Sequence, residues 1–345
     1  MVGVDELQDR YARLVAAFGA AAQGARDLDR LASDAELLAS QADTTWLRVH
    51  ARALAAAARA AAGDEPDIEA MVDASPPPLD DSALSRLDEL LDGAGARSER
   101  LAIHDAGATI PPQALEPAAV DLLRIFHRRA TEDLDLPVGH ELALAVIGGP
   151  GDGWRSKLGS GTLTLNGGAR WTVDRLVHVV SSQAYPGRHL AGLMRPSGPE
   201  WSPSPRTTVD CGLAAIGREV LLADHELAHE LDRIGRRAGL NWSGRRIVAV
   251  RRARDDLAPA YVAAALASPS RNVQGELAAL GADAARTDAL LTRWRDPLAR
   301  AHCLARAAGP PLVRAWLVTT GQTIGLQRLL GERLAPTTLR AEAGR

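Results

Sequence analysis

The stretch "TVDRLVHVVSSQAYPGRHL", residues 172–190, concentrates side chains that can do chemistry. His178, Ser181, Ser182 and Tyr185 recur three or four residues apart, so on a helix they share one face. After Asp174 in the first turn the stripe has no charged member, which suits the wall of a buried cavity better than a solvated face. His178 and Ser182 have the i, i+4 spacing of a dyad, although a mid-helix serine is poorly exposed for attack. Beyond Pro186 and Gly187, His189 is a candidate general base, with Tyr185 or Asp210 as donor or orienting group. Arg188 offers a planar fork for a substrate carboxylate or phosphate. It also reads as one surface arginine among many, because Lys157 is the only lysine of the chain.

A second constellation is "DHELAHELDRIGRR", residues 224–237, in which His225-Glu226-Leu227-Ala228-His229 matches the zincin His-Glu-x-x-His pattern. The spacing puts both imidazoles on one face, with Glu226 available as a base. At about 100° per residue, Leu227, Leu231 and Ile234 form the apolar side and the histidines point away from it. Their face continues into Asp232 and Arg236, which predicts a solvated surface. A zinc hydrolase built on these residues is retained as an alternative.

Several elements must position these groups. Thr172 is the expected N-cap of a helix whose apolar stripe is Val173, Leu176, Val177, Val180 and Ala184. Pro186 stops that helix and Gly187 permits a turn that brings His189 back beside the stripe. Upstream, "LQDRYARLVAAFGAAAQGARDLDRL" and "TTWLRVHARALAAAARAAA" have helical periodicity and alanine-rich propensity. "DASPPPLDDS", residues 73–82, breaks the pattern as a loop or hinge. "IPPQALEPAAVDLLRIFHRRATEDL" is another helix, with prolines near its start. "HELALAVIGG" and "GTLTLNGG" are short β-prone runs, which predict a small two-stranded element. The intervening "GGPGDGWRSKLGS" lacks the ending of a phosphate loop and is expected to be a loop over a pocket.

"LVHVVSSQAYPGRH" resembles a segment of a bacterial metallopeptidase-like family of unknown function that carries His-Glu-Ala-Tyr-Pro-Gly-His-His. "GTLTLNGGARWTVDRL", "VDCGLAAIGREVLL" and "LTRWRDPLARAHCLARAAGPPLVRAWLVTTG" resemble its lead-in, its "SEGLA" helix and its C-terminal helices, so the likeness spans about the last 250 residues. It implies a zincin-carboxypeptidase-like helical fold. It also implies that most metal positions have changed. Ser182 stands for the first histidine, Gln183 for the acid/base residue and Arg188 for the first of the closing histidines, so only His189 remains. Cys211 stands for the glutamate of "SEGLA", and "VTTGQTIG" lacks the C-terminal tyrosine. A catalytic zinc needs about three protein ligands, so the resemblance implies a lost zinc site and no metal or other cofactor. By the same resemblance Cys211 shares a cavity with His189 and is a candidate nucleophile. A small buried core cysteine is the competing reading, and Cys303 is read in that way.

The chain has 345 residues, 46% hydrophobic and 24% charged, with a net charge of −3. That is enough to bury one large or two modest cores, and no basic block points to nucleic acid. No apolar run approaches the ~18 residues of a membrane span. Two cysteines make no disulfide framework, and the charged, amphipathic start lacks a signal-peptide core, so a cytoplasmic protein is expected. The expected architecture is mostly α, with an N-terminal helical region over 1–95 and a pocket-bearing helical core over 96–345. The expected function is a metal-independent enzyme on a small acidic or acyl substrate. Its catalytic residues would be His189, Cys211 and Tyr185, and its binding residues Arg188, Ser182, Gln183, His178 and Asp210. The main alternative is a pseudo-enzyme that binds a ligand or partner without turnover.

Overall fold

The computed structural model describes residues 4–21, 27–134, 136, 141–149, 154–159, 161–195, 201–267 and 272–344. The chain begins with α1 (Val4–Ala21), α2 (Leu28–Gln41), α3 (Thr45–Ala62) and the short α4 (Ile68–Val72). Thr44 starts α3 by accepting from Leu47 N at 3.3 Å, and Gly63, at φ 108°, ends it. As its prolines predict, 73–82 contains no helix. Then come α5 (Ala83–Leu90), α6 (Arg97–Gly107), β1 (Thr109–Ile110) and α7 (Pro112–Leu134). Four more strands follow: β2 (Ala143–Ile147), β3 (Ser156–Gly159), β4 (Thr162–Asn166) and β5 (Trp171–Thr172). The helices beyond them are α8 (Val173–Gln183), α9 (Arg188–Met194), α10 (Pro205–Leu221), α11 (Asp224–Arg237), α12 (Gly244–Asp255) and α13 (Ala258–Leu266). The last are α14 (Val273–Ala279), α15 (Ala284–Arg293), α16 (Pro297–Thr320), α17 (Gln322–Gly331) and α18 (Pro336–Ala343). The protein is mostly α with a small β element, and among the described residues no helix is long and apolar enough to cross a membrane.

The β element is larger than the sequence suggests. β2 and β4 pair in parallel, with Ala143 opposite Thr162, and β3 pairs antiparallel on the other side of β4. Part of the expected loop around Lys157 is therefore strand; its residues 150–153 and 160 lie outside the described residues. Lysine and glycine are poor strand formers, and β3 exists because β4 presents an edge to pair with. A second, two-stranded sheet joins β1 to β5. Asn166, buried, locks this region to the helix that follows it. Its amide donates to Trp154 O at 2.9 Å, and its carbonyl O accepts from Trp171 Nε1 at 2.8 Å. β5 runs directly into α8, whose first N–H, on Val173, donates to Ala108 O at 2.9 Å.

Three apolar cores result. One joins Leu7, Tyr11, Leu38, Leu54 and Met71 of the N-terminal helices to Leu304 and Ala308 of α16. The central core packs α7, β4, α8, α10, α11, α17 and the second half of α16 around Phe126, Trp171 and Trp316. The third lies among α5, α6, α12, α13 and α14. α16 thus runs through two cores, and its crossing with α10 is a backbone-to-backbone contact. A Cβ on Gly309 would sit 2.2 Å from Thr208 O, and one on Gly212 would sit 2.6 Å from Gly309 O.

Candidate functional site

Val173, Leu176, Val177 and Val180 of α8 are all buried, as the apolar stripe requires. The polar face is not solvated either: Ser181 is buried, and His178, Ser182 and Gln183 are half-buried. The helix gives way at Ala184, and the chain folds back on its own last turn. A Cβ on Gly187 would lie 2.1 Å from Ser182 O and 2.5 Å from Ser181 O, so only glycine fits. α10 closes over the turn, since a Cβ on Gly217 would meet Pro186 Cγ at 2.6 Å.

The turn brings His189 back to Tyr185, as its Pro-Gly pattern predicts. The two rings meet edge to face with centroids 5.7 Å apart, and Tyr185 meets the ring of His127, from α7, at 5.0 Å. Nothing in "RIFHRR" distinguishes His127 from an ordinary helix residue; only the packing of α7 on α8 recruits it. Burial pushes the Tyr185 hydroxyl above its ordinary range, and a hydrogen bond with the Leu142 backbone works against that shift.

The remaining candidates have other commitments. Ser182 Oγ turns back to Val179 O at 3.5 Å and Ser181 Oγ to His178 O at 3.2 Å, so the His178–Ser182 dyad is not formed. Asp210 accepts from Arg195 Nη1 at 2.5 Å and faces Arg206 Nε at 3.5 Å. Arg195 also donates to Leu329 O, so Asp210 helps tie α10 to α17 instead of orienting a base. Arg188 is exposed. Burial pushes the Cys211 thiol up to about 12; the positive charge of Arg306 opposes the shift and Asp210 adds to it. That direction is opposite to the one a nucleophilic cysteine needs.

His178 is pushed down to about 3, first by burial and then by Arg251, Arg306 and Arg218, with Asp174 opposing. Nothing in the sequence marks Arg218 and Arg251, both buried beside it, as interior, because in an arginine-rich chain interior and surface arginines look alike. Arg218 is itself lowered to about 10, mainly by burial. Arg251 Nη1 and Asp174 Oδ1 are buried without hydrogen-bond partners.

The His-Glu-x-x-His segment occupies the first turns of α11. His225 and His229 are exposed, as the helical pattern predicts. Glu226 is the third helical residue. Its carboxylate accepts from Ala223 N at 3.1 Å and pairs with Arg129, a capping arrangement that explains a glutamate here. Replacing Glu226 with alanine is expected to cost about 1 kcal/mol of stability, read as a lower denaturation midpoint. Among the described residues, no group of three or more His, Cys, Asp and Glu side chains is placed to hold a metal ion.

A cleft of about 720 Å³ opens elsewhere, between α3, α4, the proline-rich 73–78 segment, α16 and α18. None of the candidate catalytic, binding or metal residues lines it, although the proline-rich loop does. No protein-family model, no curated protein and no solved structure matches this chain.

Proposed function

We propose that this chain is a non-covalent ligand-binding protein, a pseudo-enzyme that keeps a metallopeptidase-like scaffold and performs no acyl or hydrolytic chemistry through the altered motif. The observation that carries this reading is geometric: among the described residues the expected site groups are bonded into the fold and none is set as a base beside a nucleophile. The desolvated surroundings of Cys211, the one strong nucleophile among them, push its thiol up in the same sense. The neighbouring groups support the same reading. Ser182 is bonded into its own helix, Asp210 is held by two arginines, and Tyr185 packs its ring between two histidines. Such commitments stabilise a fold; they do not poise a general base beside a nucleophile. This reading takes precedence over a metal-independent enzyme on an acidic or acyl substrate.

The test is alkylation of the native protein with iodoacetamide near pH 7.5, followed by peptide mapping. Thiolate is the reactive form, so Cys211 is expected to react about a thousandfold more slowly than in the denatured chain. Labelling of native Cys211 at the denatured rate would refute the proposal. So would hydrolysis of p-nitrophenyl acetate that disappears in Cys211→Ala.

A further inference from the structure

We infer that the cleft between α3 and the proline-rich segment is a binding site for a small organic anion: a carboxylate, sulfonate or phosphate head on a compact apolar or aromatic body. The inference deepens the ligand-binding reading and rests on it.

Thr45, Arg48, Val49 and Arg52 are spaced i, i+3, i+4 and i+7, so one face of α3 forms a wall of the cleft. Arg48 and Arg52 stand one turn apart on that wall. Like charges at this spacing repel each other unless something neutralises them. Arg48 is half-buried and spends one nitrogen on a carbonyl, donating from Nη2 to Ala42 O at 2.9 Å. Arg52 is exposed, and among the described residues it makes no hydrogen bond or ion pair and neither arginine has a carboxylate partner.

The two carboxylates that line the cleft are already engaged. Asp73 accepts from Thr337 Oγ1 at 2.7 and 2.8 Å and pairs with Arg340 Nη2 at 2.6 Å. Glu69 accepts from Ser75 Oγ at 2.6 Å. Asp73 is neutralised by Arg340, whereas the Ser75 hydroxyl leaves the charge of Glu69 in place, so Arg48 and Arg52 give the lining a net positive charge. Two guanidinium groups on one helix face suit an oxyanion held by paired N–H donors.

The rest of the lining selects for an apolar body. Pro77 and Pro78, together with Pro311 and Leu312 of α16, also line the cleft, and these side chains carry no hydrogen-bonding group. Proline fixes its own backbone angle, so this wall loses little freedom when a ligand arrives. A volume of about 720 Å³ falls in the range of pockets that enclose small organic ligands. An inorganic ion would leave most of that space unfilled; an amphipathic anion satisfies both the arginines and the apolar walls.

The test titrates the full chain, by fluorescence, with 1-anilinonaphthalene-8-sulfonate and with the uncharged N-phenyl-1-naphthylamine. One saturable site for the sulfonate is expected. Arg52→Gln and Arg48→Gln should each raise its Kd by about five- to tenfold, while the Kd of the uncharged probe stays the same. Arg52 is exposed and has no partner to lose among the described residues, so Arg52→Gln should keep the Tm of the parent and read binding alone. A filling substitution at the lining residue Ala70, Ala70→Phe, should weaken both probes. Absence of saturable sulfonate binding, or a Kd unmoved by both arginine substitutions, would overturn the assignment. Either result leaves the alkylation of Cys211 unchanged, so failure of the cleft and failure of the non-covalent reading are distinguishable.

Discussion

Acid is expected to destabilise this protein progressively from about pH 6.5 downward, with His50 and His178 contributing to the slope. His50 is buried in the N-terminal core, where its Nδ1 donates to Trp46 O at 2.9 Å and its ring stacks on Trp46 with centroids 4.2 Å apart. Its Nε2 is buried without a partner. Burial pushes its pKa down to about 3, Arg206 and Arg333 add to the shift, and the bond to Trp46 opposes it. His178 is lowered to about 3 by burial and three arginines. Both residues are therefore neutral in the folded chain and protonate readily in the unfolded one. Between about pH 6.5 and pH 3 the unfolded state binds more protons, so stability falls as pH falls, and the loss is complete near pH 3.

Each histidine contributes a slope of about 1.4 kcal/mol per pH unit inside that window. Against a typical stability of about 5–15 kcal/mol, two such slopes are large enough to be read in a denaturation midpoint. Urea midpoints measured at about pH 7, 5.5 and 4.5 should decline steadily, and the decline should be much shallower in His50→Gln/His178→Gln. An undiminished decline in that double variant would remove these histidines from the account.

Gly309→Ala is expected to destabilise the protein by at least about 2 kcal/mol, although alanine is the better helix former by about 1 kcal/mol. The reason is the crossing of α10 and α16. The new Cβ would lie 2.2 Å from Thr208 O and 2.7 Å from Gly212 N, and backbone atoms inside two helices cannot step aside as a flexible side chain can. Separating the helices would also disturb Thr208, whose buried hydroxyl donates to Val72 O at 2.8 Å, and the interior packing of Val313 and Trp316. Gly19→Ala is the matched control. Gly19 lies within α1 with nothing within 4 Å of the added carbon, so the same substitution should be neutral or stabilising by up to about 1 kcal/mol. Thermal or urea denaturation of the two variants should shift in opposite directions or, at the least, by clearly different amounts.

Local chemistry was legible from the residues alone. The 3.6-residue spacing of Val173, Leu176, Val177 and Val180 states which face of α8 is interior. The prolines at 76–78 exclude helix there, and Pro186-Gly187 forces the turn that returns His189 to Tyr185. The face of His225 and His229 is solvated because their neighbours one turn on are charged. These features depend on interactions within a few residues, and a one-dimensional pattern contains them.

What lies opposite each face is a long-range matter, and there the tertiary structure decided. β3 forms against local propensity because β4 offers it a pairing edge. His127 reaches Tyr185, and Arg218 and Arg251 become interior, only because α7, α10 and α12 pack around α8. Nothing in the sequence around Cys211 marks it as desolvated, yet its packed surroundings push the thiol of this half-buried residue up. The cleft draws its lining from residues 45–78 and 308–340, stretches that meet only because α16 runs along the N-terminal helices. Periodicity names the inward face of each helix; the shape and charge of the space between helices depend on which inward faces meet.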